Sequence, residues 1–115
     1  MSIKRVIIEG ACKLEGIINE NSRRGGVVIC HPHPLYGGDM HNNVVGAIEK
    51  GFAYKGFTTL RFNFRGVGES TGFYGNGQGE EEDLLDAAEF LMEQIDKDGL
   101  IMFAGYSFGA WICSK

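Results

Sequence analysis

The chain has 115 residues, 43% of them hydrophobic and 23% charged, with a formal net charge of −4 at pH 7. That is room for one domain with a modest core, and the negative balance argues against nucleic acid or an anionic membrane as a main partner. Eighteen glycines against two prolines, with no repeat, indicate many tight turns rather than disorder.

The first residues, Met1-Ser2-Ile3-Lys4-Arg5, carry no signal-peptide apolar segment, and no apolar run approaches membrane-spanning length. Residues 3–9 read as a strand. Gly10-Ala11 turns the chain into a second strand at 12–19, whose apolar positions are Leu14, Ile17 and Ile18. Together they predict an antiparallel hairpin at one edge of a sheet. Residues 19–26 read as a polar loop.

Val27-Val28-Ile29-Cys30 is a short apolar strand that runs straight into His31-Pro32-His33-Pro34-Leu35-Tyr36-Gly37-Gly38. A helix is predicted over 39–55, with Met40, Val44, Ile48 and Phe52 on one face, Asp39 or Asn42 as cap and Gly56 as terminator. Residues 57–64 form the next strand, in which Leu60, Phe62 and Phe64 alternate with Arg61 and Asn63. A loop with six glycines follows over 65–79. Residues 80–96 are an amphipathic helix with an acidic first turn (Glu80 to Asp83) and a stripe of Leu84, Leu85, Ala88, Leu91, Met92 and Ile95.

Leu100 to Ala104 is again an apolar strand, and Ala110-Trp111-Ile112-Cys113 starts a buried helix. Strands alternating with helices imply a mostly parallel α/β sheet, one domain over residues 1–115 with helices on both faces. Catalytic groups in such sheets gather beyond the carboxyl ends of the strands. The loops at 31–38, 65–68 and 105–109 all follow strands and share that edge.

Between the last strand and helix lies Gly105-Tyr106-Ser107-Phe108-Gly109, a G-x-S-x-G nucleophile elbow in its strand-to-helix setting. The serine needs a strained turn, so the flanking glycines must be nearly free of side chain. Ser107 is therefore the candidate nucleophile. The backbone N–H of Phe108 is one candidate oxyanion donor, and the 31–38 loop supplies the second. Pro32 and Pro34 cannot donate, which leaves His33 or Leu35, with His33 favoured. Gly37-Gly38 would let a substrate approach the backbone.

His31, His33, Asp39 and His41 invite a zinc reading, against which stand the intervening prolines and the lack of a distinct fourth ligand. Arg65-Gly66-Val67-Gly68 invites a dinucleotide reading, which fails because position 71 is Thr71 and no helix opens there. No cofactor and no metal is expected. Arg65 pairs with a carboxylate or pins its loop. Cys12, Cys30 and Cys113 form no C-x-x-C pair and read as small buried hydrophobes of a reducing compartment, so a cytoplasmic location is expected.

The stretches His31 to Gly38, Thr59 to Ser70 and Gly105 to Ala110 together resemble the α/β-hydrolase superfamily, in particular its small bacterial branch related to dienelactone hydrolases and short-chain esterases. Asn63 stands where that superfamily often has aspartate. The resemblance implies a serine hydrolase acting on a carboxylic ester or related small acyl substrate. It also implies a triad acid and histidine downstream of Ser107, whereas all three histidines and every acidic residue precede it. The chain thus resembles the N-terminal half of such a domain, cut inside the helix after the nucleophile. Two consequences are expected: a strand edge left open to self-association, and doubtful catalysis by these residues alone. The competing readings are a non-catalytic remnant serving as an interaction module, and an in-chain triad in which His31, His33 or His41 serves Ser107.

Overall fold

The structure, a computed structural model, describes residues 2–114. Strands β1 (Ser2–Glu9) and β2 (Lys13–Glu20) pair antiparallel, with Ser2 opposite Glu20 and Glu9 opposite Lys13. The hairpin turn is tied to the rest of the fold where the Ala11 N–H donates to the Asp86 carboxylate at 3.1 Å.

The next strand, β3, spans Ser22–Cys30. The polar loop expected over 19–26 is therefore a single residue between two strands. Tertiary partners override its composition. Asn19 donates to Glu49, the Asn21 N–H donates to Thr58, and Arg23 bonds to Asp96 and to the Gln94 carbonyl. Gly25 and Gly26 are buried because the Phe57 ring and Leu91 occupy the space where side chains would stand.

Helix α1 is Asn43–Tyr54, four residues later than expected at its start. The Asp39 carboxylate accepts the His41 N–H in a preceding turn, and Asn42 Oδ1 takes the Val44 and Val45 N–H groups as the cap. Strand β4 is Phe57–Phe62, and helix α2 is Gln78–Met92. Phe64 leaves the ladder early because its N–H goes to His31. Strand β5, Leu100–Gly105, feeds helix α3, Phe108–Cys113.

The sheet order is β1-β2-β4-β3-β5. β4, β3 and β5 run parallel, while β2 meets β4 antiparallel. Side chains of β3 alternate between two cores, as the two-residue repeat of a strand dictates. Val27 and Ile29 face α1 with Val45, Ile48 and Phe52. Val28 and Cys30 join Leu60, Phe62, Leu84, Leu91, Phe108 and Ile112 on the face covered by α2 and α3. The two-faced helix cover and the edge hairpin match the sequence reading. β5 is the other edge, pairing with β3 on one side only, and Leu100 and Phe103 near it are 59% and 45% exposed. Among the described residues no helix is long and apolar enough to cross a membrane.

Candidate active site

Ser107 sits between β5 and α3 with φ 60° and ψ −118°, one of two non-glycine residues with positive φ among those described. Such a conformation costs about 1–3 kcal/mol and persists only where the surroundings impose it. The flanking glycines are part of that imposition. A side chain at Gly105 would meet the backbone of Gly109 and Ala110, and one at Gly109 would meet the carbonyl groups of Cys30 and His31. Ser107 itself is exposed.

Helix α3 starts directly after it. The Trp111 N–H donates to the Ser107 carbonyl, and the Gly109 N–H to that of Tyr106. Phe108 is the first helical residue, where an N–H has no partner within the helix. Its ring is buried and packs at 4.5 Å from His33, 5.8 Å from Phe64 and 5.6 Å from Trp111. The two loops proposed for the oxyanion donors are thus in direct contact.

The 31–38 loop is rigid through its own bonds. His33 Nδ1 accepts the Leu35 N–H at 3.2 Å, so the Leu35 N–H is already engaged within the loop. With Nδ1 accepting, Nε2 carries the proton and faces the Tyr74 hydroxyl at 3.2 Å. Gly37 closes the short 3-10 turn Pro34–Tyr36 with φ 83°. Gly38, expected to give a substrate access, packs instead against the Pro32 carbonyl of its own loop.

His31 is fully buried. Its Nδ1 donates to the Pro32 carbonyl at 2.6 Å and its Nε2 accepts the Phe64 N–H at 3.1 Å. Burial holds its pKa below the ordinary histidine value, against the Pro32 bond and the carboxylates of Asp39 and Glu80. Both histidine rings of this loop are therefore committed to structure, and neither has a nitrogen left for Ser107. His41 is exposed before α1.

The glycine-rich loop is pinned by two networks that composition did not reveal. Arg65 grips Asp83 with two nitrogens at 2.9 and 3.1 Å and reaches Glu82 at 2.9 Å. The hydrogen bond to Asp83 keeps the guanidinium firmly charged. At Asp83 burial raises the carboxyl more than the bonds from Arg65 lower it. Closer to β4, Glu15 Oε1 accepts from Asn63 and the Glu69 N–H, while Arg5 holds Oε2. Burial works against the ionised Glu15, and these bonds outweigh it, leaving its pKa low. Asn63 Oδ1 also receives the Met40 N–H at 2.8 Å, so this residue joins β2, β4 and the approach to α1.

A cleft of about 350 Å³ lies between β1 and α2, walled by Ile7, Glu9, Asp86, Phe90 and Glu93, and none of the three loops lines it. No cluster of three or more His, Cys, Asp or Glu side chains arranged for a metal occurs among the described residues.

A family profile for the X-Pro dipeptidyl-peptidases (S15 family) matches residues 19–114. The chain belongs to that family. An α/β serine hydrolase homologue from Coxiella burnetii superposes with a TM-score of 0.91 at 41% identity, over 99% of this chain and 56% of its own. A lidless α/β serine hydrolase from Xanthomonas campestris gives 0.90 at 32% identity, over 96% of this chain and 53% of its own. An uncharacterized protein of Rickettsia prowazekii is 45% identical over 88 residues, 76% of this chain and 37% of its own length. This S15-family chain therefore has the α/β serine hydrolase fold and spans about half, or less, of the length of these relatives.

Proposed function

We propose that the chain is the nucleophile-bearing portion of a serine hydrolase acting on a carboxylic ester or related acyl compound. The observation that carries this reading is Ser107, exposed and held at φ 60° beside the His33 loop. Its hydroxyl attacks the acyl carbon, and the N–H groups of Phe108 and His33 receive the charge that develops on the carbonyl oxygen. The family name denotes a peptidase and two relatives are named as hydrolases, and peptides and esters share acyl transfer through serine. The triad acid and histidine come from residues outside this sequence, since His31 and His33 are already engaged. We place the protein in the cytoplasm, on its three unpaired cysteines.

The test is labelling with a fluorophosphonate, of this chain alone and mixed with the C-terminal portion of the Coxiella burnetii homologue. Label on Ser107 in the mixture and none in Ser107→Ala is the expected result. Rapid labelling of the chain alone would put the base within its own residues. Label that survives Ser107→Ala would overturn the nucleophile.

A second reading is an inactive half-domain that associates through β5. The open edge beside exposed Leu100, Phe103 and Trp111 favours it. Self-association seen by ultracentrifugation, without labelling under either condition, would support it.

A further inference from the structure

Cys30 ends β3, immediately before the 31–38 loop, and Cys113 ends α3, the helix that follows Ser107. Their Sγ atoms are 3.4 Å apart although the residues are 83 positions apart in sequence. Cys30 is fully buried and Cys113 is partly accessible, with its Sγ also 3.5 Å from the Ala104 carbonyl. The elements that carry them already touch through their backbones: the Tyr106 N–H donates to the Cys30 carbonyl, and Gly109 lies against it.

We infer that Cys30 and Cys113 are a reversible disulfide site, formed by hydrogen peroxide, that clamps the root of the 31–38 loop to the nucleophile helix. The sulfurs need to close from 3.4 Å to about 2.05 Å. Cys113 lies at the end of α3 as described, Phe108–Cys113.

The two thiols differ in the way a sensor pair requires. Burial raises the pKa of Cys30, whereas the hydrogen-bonding contact with Cys30 lowers that of Cys113. Cys113, the partly accessible one of the two, is the attacking sulfur. Its sulfur takes one peroxide oxygen, the O–O bond breaks, and the departing hydroxide picks up a proton to leave as water. Cys113 is then a sulfenic acid, oxidised by two electrons, and the peroxide is reduced. Cys30 next attacks the Cys113 sulfur, the S–O bond breaks, and the hydroxyl leaves as water with the Cys30 proton. The product is one S–S bond and two waters from two thiols and one peroxide. It does not depend on Ser107 being reactive.

The experiment treats the 115-residue chain with peroxide at low concentration, then denatures, alkylates and maps it by mass spectrometry, with a parallel reaction in urea. The expected result is a loss from three alkylatable thiols to one, Cys12, with a Cys30–Cys113 cross-linked peptide that dithiothreitol reverses. In urea that selectivity disappears, because Cys12 then competes. Four results would each overturn the site: the same pattern in urea, a bond to Cys12 or between chains, sulfinic acid at Cys113 without a cross-link, or three thiols still alkylatable.

Discussion

The rings of His33 and Phe108 stand 4.5 Å apart, tilted by 54°, and this contact fixes the 31–38 loop against the residue that follows the nucleophile. A double-mutant cycle with His33→Ala and Phe108→Leu should therefore give a coupling of about 0.5–1.5 kcal/mol in urea unfolding. Strictly additive effects would mean that the two loops are held independently.

The backbone at Ser107 predicts a gain in stability on loss of the side chain. With φ 60° and ψ −118°, the position suits glycine better than any residue with a Cβ. Ser107→Gly should raise unfolding stability by about 1 kcal/mol, the relief of strain less the added freedom of the unfolded chain. Ser107→Ala should change it little. A destabilised glycine variant would show that the serine hydroxyl is itself part of the turn's support.

Arg65 has one buried and one exposed carboxylate partner, which makes a controlled comparison. Asp83 is fully buried and Glu82 is 56% exposed at its side chain. Asp83→Ala should cost about 3–5 kcal/mol, because it leaves a guanidinium with a side-chain exposure of only 15% without its main partner. Glu82→Ala should cost no more than about 1 kcal/mol. Chemical denaturation of the two variants reads the difference directly. Equal losses would put the loop's anchorage elsewhere.

His31 sets a pH dependence near neutrality. Its folded pKa lies below the ordinary value of 6.5, chiefly through burial. Below 6.5 the unfolded chain takes up a proton that folded His31 refuses. Its contribution is therefore complete above pH 6.5 and is lost as pH falls through the folded value, at most about 1.4 kcal/mol per pH unit. Between pH 7 and 5 the wild-type chain should lose stability more steeply than His31→Gln. Parallel slopes would mean that His31 is protonated in the folded state.

Much of this was legible in the sequence, for stated reasons. Gly105 and Gly109 announce the elbow because steric exclusion at those positions is a local demand, and local demands are written locally. Of the predicted stripe, Leu84, Ala88, Leu91 and Ile95 face the core, whereas Leu85 and Met92 are 65% and 51% exposed, because only the middle of that stripe meets the sheet. The polar stretch from Asn19 to Gly26 misled, because what makes it strand is the side chains of Glu49, Thr58 and Asp96, far along the chain. The same holds for the insertion of β4 between β2 and β3, which no periodicity reports. The Cys30–Cys113 contact was invisible for that reason too, since neither residue has a nearby partner in sequence.

The central position of β3 also sets the order in which the chain can assemble as it is made. The β1–β2 hairpin closes over a few residues, from Glu9 to Lys13. β3 gains its first neighbour only when residues 57–62 have emerged, and its second waits for Leu100 to pair with Gly25. At about 5–20 residues per second of synthesis, the strand that carries the first loop waits seconds for the strand that delivers the serine. Non-local pairings of this kind form slowly even in a complete chain. The serine therefore reaches its strained turn only after β1 to β4 have been made.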